Sequence, residues 1–412
     1  MELRPILSTL MRNKAGALLI VMEIALTLAI ACNAAFIVGQ LTASISRPTG
    51  IDEAHIFSVD NQWLRQGSTP LTAGDLKSRL TTDLAALRRL PGVVDATAAS
   101  TVPLNNDTIA LDAATQPNLS KGNIPVLPVL VDDHALQTFG LKLIAGRWFK
   151  PDELVDANPD NPFAPTPAAV VTRAAADALF PSGGAVGKTF YLSDKPVTIV
   201  GEVQRMEGSS TGIGHVAEAF NARVVLMPER TLFSSYRYVV RTRPGRMAAA
   251  MAATRRTLLG ISRDRILTRL QPFAATRADA YRDFGAAARL LAGISVMLLL
   301  VTAFGIVGLT SFWVNQRRRQ IGIRRAVGAS RAHILQYFQT ENFLLSTGGV
   351  ALGMALAFGI NVYLMHRYEM ARMPWFYLPA GAIALWLIGQ ASVLGPALRA
   401  AAVPPVVATR SA

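Results

Sequence analysis

At 412 residues, with 51% hydrophobic but also 17% charged side chains, the chain is too apolar for an ordinary soluble protein and too polar to consist of membrane spans alone. Its 41 Lys and Arg against 27 Asp and Glu leave a net charge of +14, but many of the arginines sit beside long apolar runs, so nucleic-acid binding is a poor account of that charge. One cysteine, Cys32, excludes an intramolecular disulfide framework.

The first element is an apolar run, Ala15–Val38, preceded by Arg4, Arg12 and Lys14 and interrupted only by Glu23. At about 1.5 Å per residue it crosses a hydrocarbon core of roughly 30 Å. A basic flank and the Ala29, Ile30, Ala31, Cys32 sequence give it a faint likeness to a cleaved lipoprotein signal, but the apolar run is too long and continues past Cys32, so an uncleaved anchor is expected. Glu23 lies about eight residues, roughly 12 Å, into the span, where a carboxylate is costly. It either bonds across a helix interface or sits near the headgroups of a helix that starts deeper.

From about residue 40 to residue 286 helix and strand patterns alternate. Leucines at 76, 80, 84, 87 and 90 mark one face of a helix starting at Thr72, which Pro91 and Gly92 stop before the strand-like Val93 and Val94. The segment 151–167, rich in proline and aspartate, reads as a surface loop. Ala168–Thr172 reads as a strand leading into a helix from Arg173 to Phe180, and Val197–Val203 as a buried strand. Tyr236–Arg241, Met247–Leu259 and Ile266–Leu270 read as strand, helix, strand. An α+β domain follows, with a length of about 245 residues that is ample for its own core.

Within this domain Ser182–Thr189 misses the phosphate-loop pattern by one residue, carrying Ser182 where the first glycine belongs. A phosphate loop needs a strand before it and a helix after it, so that amides and a helix N-terminus face the anion. Here a helix and Pro181 come first and the strand-like Phe190, Tyr191 and Leu192 follow. The glycines are therefore expected to form a turn, with no nucleotide bound.

Three further charge-free runs, Leu290–Val314, Phe343–Met365 and Phe376–Leu398, are each long enough to span a membrane. Between the first two lies Gln316–Arg331, with six arginines. Ile321, Ile323, Ala326 and Val327 are expected near one side of a short helix, with Arg317, Arg318, Arg324 and Arg325 as a basic surface. Gly328 can end that helix in a left-handed conformation, and Ser330 can cap the next, carrying Ile334, Leu335 and Phe338. Two readings stay open at this point: a basic segment resting on membrane lipid headgroups, or a lever gripped by a cytosolic partner. Gly349 and Gly353 form a small-residue step on the third span that lets helices approach closely.

Basic residues near the span ends orient the chain: Arg4, Arg12 and Lys14, the six-arginine loop, then Arg399 and Arg410 are cytoplasmic, while the mixed-charge loop with His366, Arg367, Glu369 and Arg372 is outside. Both termini are expected in the cytoplasm. The five histidines (His55, His134, His215, His333 and His366) show no metal-ligand spacing, and no catalytic grouping has a local signature. No metal, cofactor or catalytic site is expected.

The chain resembles the MacB/FtsX-type permeases of ABC transporters. The likeness is carried by Gln316–Ser330, by Glu341 with Gly348, Gly349 and Gly353, and by Pro396–Ala401. In the exported domain its markers are Leu90–Val93, Phe139–Arg147 with Phe149, Ala178–Pro181, Gly187 and Lys188, and Val200–Val203. These cover nearly the whole chain in the family's order.

The resemblance implies an α-helical membrane protein of the bacterial inner membrane with four transmembrane helices, one plus three, and a large α+β periplasmic domain inserted between helices 1 and 2. The expected division is a cytoplasmic N-terminus and helix 1 over 1–39, a MacB-like periplasmic core over 40–286, an FtsX-like permease domain over 287–400 with a coupling loop at 315–341, and a tail over 401–412. It further implies a permease subunit, not itself an enzyme, that pairs with a second permease as a homo- or heterodimer and receives a separate cytosolic ABC ATPase. The ATPase's motion would reach the periplasmic domain by mechanotransmission. A periplasmic adaptor and an outer-membrane channel are implied as further partners. The coupling residues would be Arg317, Arg318, Ile321, Ile323, Arg324, Arg325, Val327, Gly328, Ser330 and Arg331, with Glu23, Glu341, Gly349 and Gly353 as polar or packing positions in the membrane. ATP-driven export or envelope remodelling is the leading expectation. An FtsX-like scaffold that activates a periplasmic cell-wall hydrolase is the alternative, and a membrane-anchored receptor or enzyme would leave the arginines unexplained.

Overall fold

The computed structural model describes residues 14–64, 71–107, 110–117, 123–157, 166–192, 194–212, 215–368 and 370–402. The expectations placed on Arg4, Arg12, Glu369 and Arg410, on residues 158–165 of the 151–167 loop and on the tail beyond residue 402 lie outside the described residues. The chain divides into two compact units, residues 1–43 with 284–412, and residues 44–283.

In chain order the elements are α1 (Lys14–Ile45), β1 (Ile56–Trp63), α2 (Ala73–Arg88), β2 (Val93–Ala99), β3 (Leu111–Ala114), β4 (Ile124–Val131), α3 (Ala135–Phe139), β5 (Leu143–Gly146), β6 (Val155–Ala157), β7 (Ala168–Thr172) and α4 (Arg173–Leu179). They continue with β8 (Thr189–Leu192), β9 (Lys195–Val203), α5 (His215–Asn221), β10 (Val224–Thr231), β11 (Ser235–Thr242), α6 (Met247–Ile261), β12 (Arg265–Pro272) and α7 (Phe273–Ala280). Four more helices follow: α8 (Arg282–Gln316), α9 (Arg318–Ala326), α10 (Arg331–Tyr368) and α11 (Tyr377–Ala401).

The exported unit is one mixed sheet in the order β12-β1-β11-β2-β4-β3-β8-β9-β7-β10-β6, with β5 paired to β9. Its first four strands are antiparallel, and with α2 and α6 they form a split β-α-β arrangement. Helix α2 starts where Thr72 accepts a hydrogen bond from the Asp75 backbone N–H and Asp75 reciprocates at Thr72 N–H, a capping box. Its leucines at 76, 80, 84 and 87 then meet Phe57, Val59, Tyr238, Val240 and Leu258 in the first core. Inside it, the Asp83 carboxylate accepts from both Arg265 Nη1 (2.7 Å) and Nη2 (3.0 Å) and from the Tyr238 hydroxyl, and the guanidinium lies 3.9 Å from the Trp63 ring centre.

Residues 100–234 are inserted between strands β2 and β11 and build a second core, where Val171, Ala175 and Leu179 meet Phe190, Ile199 and Val225. The two lobes of the sheet join where β2 pairs β4 through one residue pair, Ala99 with Val131. Strand β9 is buried on one face only, its residues alternating from Val197 to Val203, so it is less enclosed than the sequence suggested. The 151–167 segment is not wholly irregular: β6 lies within it, at the end of the sheet order, where a short strand is tolerated beside prolines.

Among the described residues, the other unit holds four helices long and apolar enough to cross a membrane: Lys14–Ile45, Arg282–Gln316, Arg331–Arg367 and Tyr377–Ala401. They outrun the apolar stretches, because nothing between Ser330 and Phe343, or between Arg282 and Leu290, breaks a helix. Helix α1 turns Ile20, Ile24, Leu28, Cys32 and Phe36 inward at steps of four, onto Ile306, Leu345, Val350, Leu385 and Val393. Leu18, Leu19, Met22 and Leu26 face outward, as a membrane helix requires of its lipid side.

Candidate functional site

Helix α8 ends at Gln316, and Arg317 starts α9 without a break in hydrogen bonding, its N–H donating to Trp313 C=O at 3.0 Å. Arg317 does not join the basic surface. Its Nη1 lies 3.0 Å from both Glu341 oxygens, the pair is buried at 11% and 3% side-chain exposure, and the guanidinium is 5.9 Å from the Trp313 ring centre. The two residues face each other because α9, the turn and α10 fold back as a hairpin, which brings position 341 alongside position 317.

Ile321 is buried in the helical core with Ile334 and Phe338 of α10. Ile323 and Val327 differ from the expectation: they are 51% and 85% exposed. At about 100° per residue, position 323 lies some 200° from 321, whereas 323, 326 and 327 share the opposite side. The helix therefore has an inner anchor, Ile321, and an outer face where Ile323, Ala326 and Val327 stand among exposed Arg318, Arg319 and Arg324.

Gly328 takes φ +107°, which only glycine adopts without strain, and Ala329 N–H closes the turn on Arg324 C=O at 3.0 Å. The Ser330 hydroxyl accepts from His333 N–H at 3.2 Å, capping α10, and Arg331 is its exposed first residue. Arg324 also lies 5.2 Å over the Tyr337 ring. The ion pair, the buried isoleucine and the cation–ring contact together fix α9 against α10 at three places along its length.

The membrane positions serve helix contact. A Cβ at Gly349 would lie 2.8 Å from Ile24 Cβ, and one at Gly353 would lie 2.9 Å from Ala25 O and from Leu28 Cβ, so both glycines let α10 press onto the α1 backbone. The Glu23 carboxylate lies against Gly305 of α8, where a Cβ would be 2.6 Å from Oε2. One turn along, the Thr27 and Thr302 hydroxyls bond at 2.8 Å, and Asn33 Nδ2 donates to Ala357 O at 3.0 Å.

The near-miss phosphate loop is a turn between α4 and β8, with Gly183, Gly184 and Gly187 at positive φ. A strand follows it where a phosphate loop needs a helix.

One feature of the exported unit escaped the sequence. Arg277 of α7 donates Nη1 to Ile45 O (2.6 Å), Nη2 to Arg47 O (2.9 Å), and both Nε and Nη2 to the Glu53 carboxylate (2.8 and 2.6 Å). It ties the end of α1 to the segment that leads into α8. An arginine in a short helix carries no signal of a partner more than 200 residues away.

Residues 20–257 match the family model described as the MacB-like periplasmic core domain, and residues 292–405 match the FtsX-like permease C-terminal. Among curated relatives, a macrolide export ATP-binding/permease protein MacB of Shewanella sp. (strain W3-18-1) is 25% identical over 352 residues, 81% of this chain and 49% of its own length. The protein of that name from Chromobacterium violaceum is 27% identical over 283 residues, 65% of this chain and 40% of its own. The chain thus spans less than half the length of these relatives. Among solved structures, the periplasmic region of MacB from Actinobacillus actinomycetemcomitans aligns with 55% of this chain and 93% of its own at 15% identity and TM-score 0.32. The extracellular domain of the noncanonic ABC-type transporter YknZ from Gram-positive bacteria aligns with 51% and 99% at 11% identity and TM-score 0.33.

Proposed function

The chain belongs to the MacB/FtsX-type family of ABC-transporter permeases, and on that premise we propose that it carries the motion of a separate cytosolic ATPase to its periplasmic domain. The observation that carries this is the form of α9. A lever must be stiff toward its own membrane helices and open toward its driver. Arg317, through Glu341, and Ile321, through the core, provide the stiffness. The exposed face of Ile323, Val327, Arg318, Arg319 and Arg324 is apolar at its centre and basic at its rim, the composition of a protein contact. Both termini lie in the cytoplasm in this reading, the domain divisions fall near residues 39, 286 and 400, and Glu23 supports α1 against α8. A second permease completes the assembly, with a periplasmic adaptor and an outer-membrane channel in an export role.

The test is co-purification of tagged full-length protein from detergent, with identification of bound proteins and an ATPase assay. Wild type retains a cytosolic ATPase; Ile323→Asp, Val327→Asp and the double change Arg318→Glu with Arg319→Glu lose it while keeping wild-type folding, because the changed positions lie on the exposed face of α9. If neither wild type nor variants retain an ATPase, the arginines are a topology and lipid signal, and a membrane-anchored receptor takes the place of the permease subunit.

A further inference from the structure

The exported unit has a cavity of about 290 Å³ at the seam between its two lobes. That volume is close to the lower bound of roughly 300 Å³ for small-molecule pockets. One wall belongs to the first lobe, with α2 and Ala98 of β2. The other belongs to the second, with the residues that follow β4 and Arg230 of β10. The seam itself is narrow. Beyond the Ala99–Val131 pair its backbone is held by Ser100 N–H on Leu130 O and Leu130 N–H on the Ser100 hydroxyl, each 3.0 Å, and Arg88 and Thr97 reach across it to Asp132. Leu80, Leu84 and Ala98 give the cavity an apolar floor.

Its charges are unevenly matched. At one end Asp132 is fully engaged: its oxygens accept from the Thr97 hydroxyl, from His134 N–H at 3.0 Å and from Arg88 Nη2 at 3.1 Å. Asp133 lies beside it and would turn an anion away. At the other end one carboxylate serves two cations. Asp156 accepts from Lys77 Nζ at 2.7 Å and from Arg230 Nη1 at 3.2 Å, with Lys77 49% and Arg230 29% exposed. Each cation has N–H groups beyond the one this bridge uses. The spare hydrogen-bonding capacity at that end is donor, and the surplus is one positive charge.

We propose that this cavity binds a small amphipathic monocarboxylate, its carboxylate between Lys77 and Arg230 and its apolar stem on Leu80, Leu84 and Ala98. One anion matches the surplus at that end, and the flat guanidinium fork suits a carboxylate. Because its two walls come from different lobes, a bound acid adds to the Lys77–Asp156 and Arg88–Asp132 bridges that join the lobes across a seam with one strand pair. The site stands on the exported domain alone and does not depend on which ATPase drives the chain.

The experiment uses full-length protein in lipid nanodiscs, with hexanoate as probe and hydrogen exchange as readout. Hexanoate slows exchange in residues 77–88, 98–100 and 130–134 with a saturable dose response. Lys77→Gln and Arg230→Gln, both at solvent-reachable positions, keep the wild-type unfolding temperature and weaken that response about tenfold each, the loss of one charge-assisted hydrogen bond. Hexanol and hexylamine leave the exchange unchanged. Equal protection by hexanol or hexylamine, equal binding by the two variants, tighter binding of inorganic phosphate alone, or no saturable effect of hexanoate would each overturn the proposal.

Discussion

At the scale of single residues, the exported domain carries a carboxylate in an unfavourable place. Glu229 of β10 is buried at 1% exposure, and neither of its oxygens has a hydrogen-bond partner among the described residues. Burial pushes its carboxyl up to about 7, against the lowering influence of Lys195 and of Thr166, which lies alongside without a well-formed hydrogen bond. The unfolded chain releases this proton near 4.5, so between there and about 7 the folded state holds a proton that the unfolded state has lost. The domain is therefore most stable, as far as this group decides, below about 4.5 and loses that contribution as pH rises through about 7. Glu229→Gln is expected to stabilise the protein at pH 8 by up to roughly 3 kcal/mol and to leave it unchanged at pH 4.5. Thermal unfolding of wild type and variant across that range decides it: a variant less stable than wild type at pH 8 means that the ionised carboxylate is paired. Residue identity was legible in the sequence where residue partners were not. The arginines of α9 stood out, but Arg317 reads like its neighbours until the hairpin sets it against Glu341, and Ile323 reads like Ile321 until the helical phase separates them.

At the scale of elements, the legible pieces were those whose period and stop signals agree. Helix α2 has its Thr72 cap, its leucine stripe and the Pro91 and Gly92 stop, and strand β7 ends where Thr172 caps α4. Strand β4 was not legible, because Ile124–Val131 contains Pro125 and Pro128, which argue against a central strand. Its neighbours explain the tolerance. N–H groups alternate sides along a strand, and Leu127 N–H points to β10, donating to Arg223 O at 2.8 Å. Pro125 has the same parity but precedes the first β10 pair, at Leu127. Pro128 faces the other side, in the gap between the β3 pairs at Ile124–Val126 and the β2 pair at Val131. Both missing donors thus fall where no strand needs them. Among helices, α7 matters through Arg277, whose guanidinium caps the end of α1 and grips Glu53. Arg277→Ala is expected to speed hydrogen exchange of residues 45–54 at least several-fold while the β7–β9 core keeps its protection. Equal exchange in the two proteins would show that the segment is held by its other bonds.

At the scale of the whole molecule, the chain passes between its two units at residues 43–44 and 283–284. Both crossings reach the exported sheet at its β12–β1 edge, since β1 follows the first and β12 with α7 precedes the second, and Arg277 binds the two segments to each other. The 44–55 segment touches both lobes: it leads into β1, and it meets the second lobe where Glu207 N–H donates to Thr49 O and Asp52 N–H to Phe139 O, each at 2.8 Å. Within the sheet itself the two lobes are continuous only at the β2–β4 seam, where one residue pair carries the sheet from one core to the other. A seam this narrow can act as a hinge, and a hinge can be locked. Antiparallel partners stand close enough, at about 4.5–5.5 Å between Cα atoms, for a disulfide, so Ala99→Cys with Val131→Cys closes it. Cys32, the one natural cysteine, is buried and does not compete. In a reconstituted complex with the partner ATPase, nucleotide is expected to change hydrogen exchange in residues 168–203 of the reduced double variant and to have no effect on them once the disulfide forms, with reductant restoring the response. A response that survives the disulfide would mean that the second lobe takes its motion from the 47–52 segment, through Thr49 and Asp52, and that the seam is a joint in the sheet and not in the mechanism.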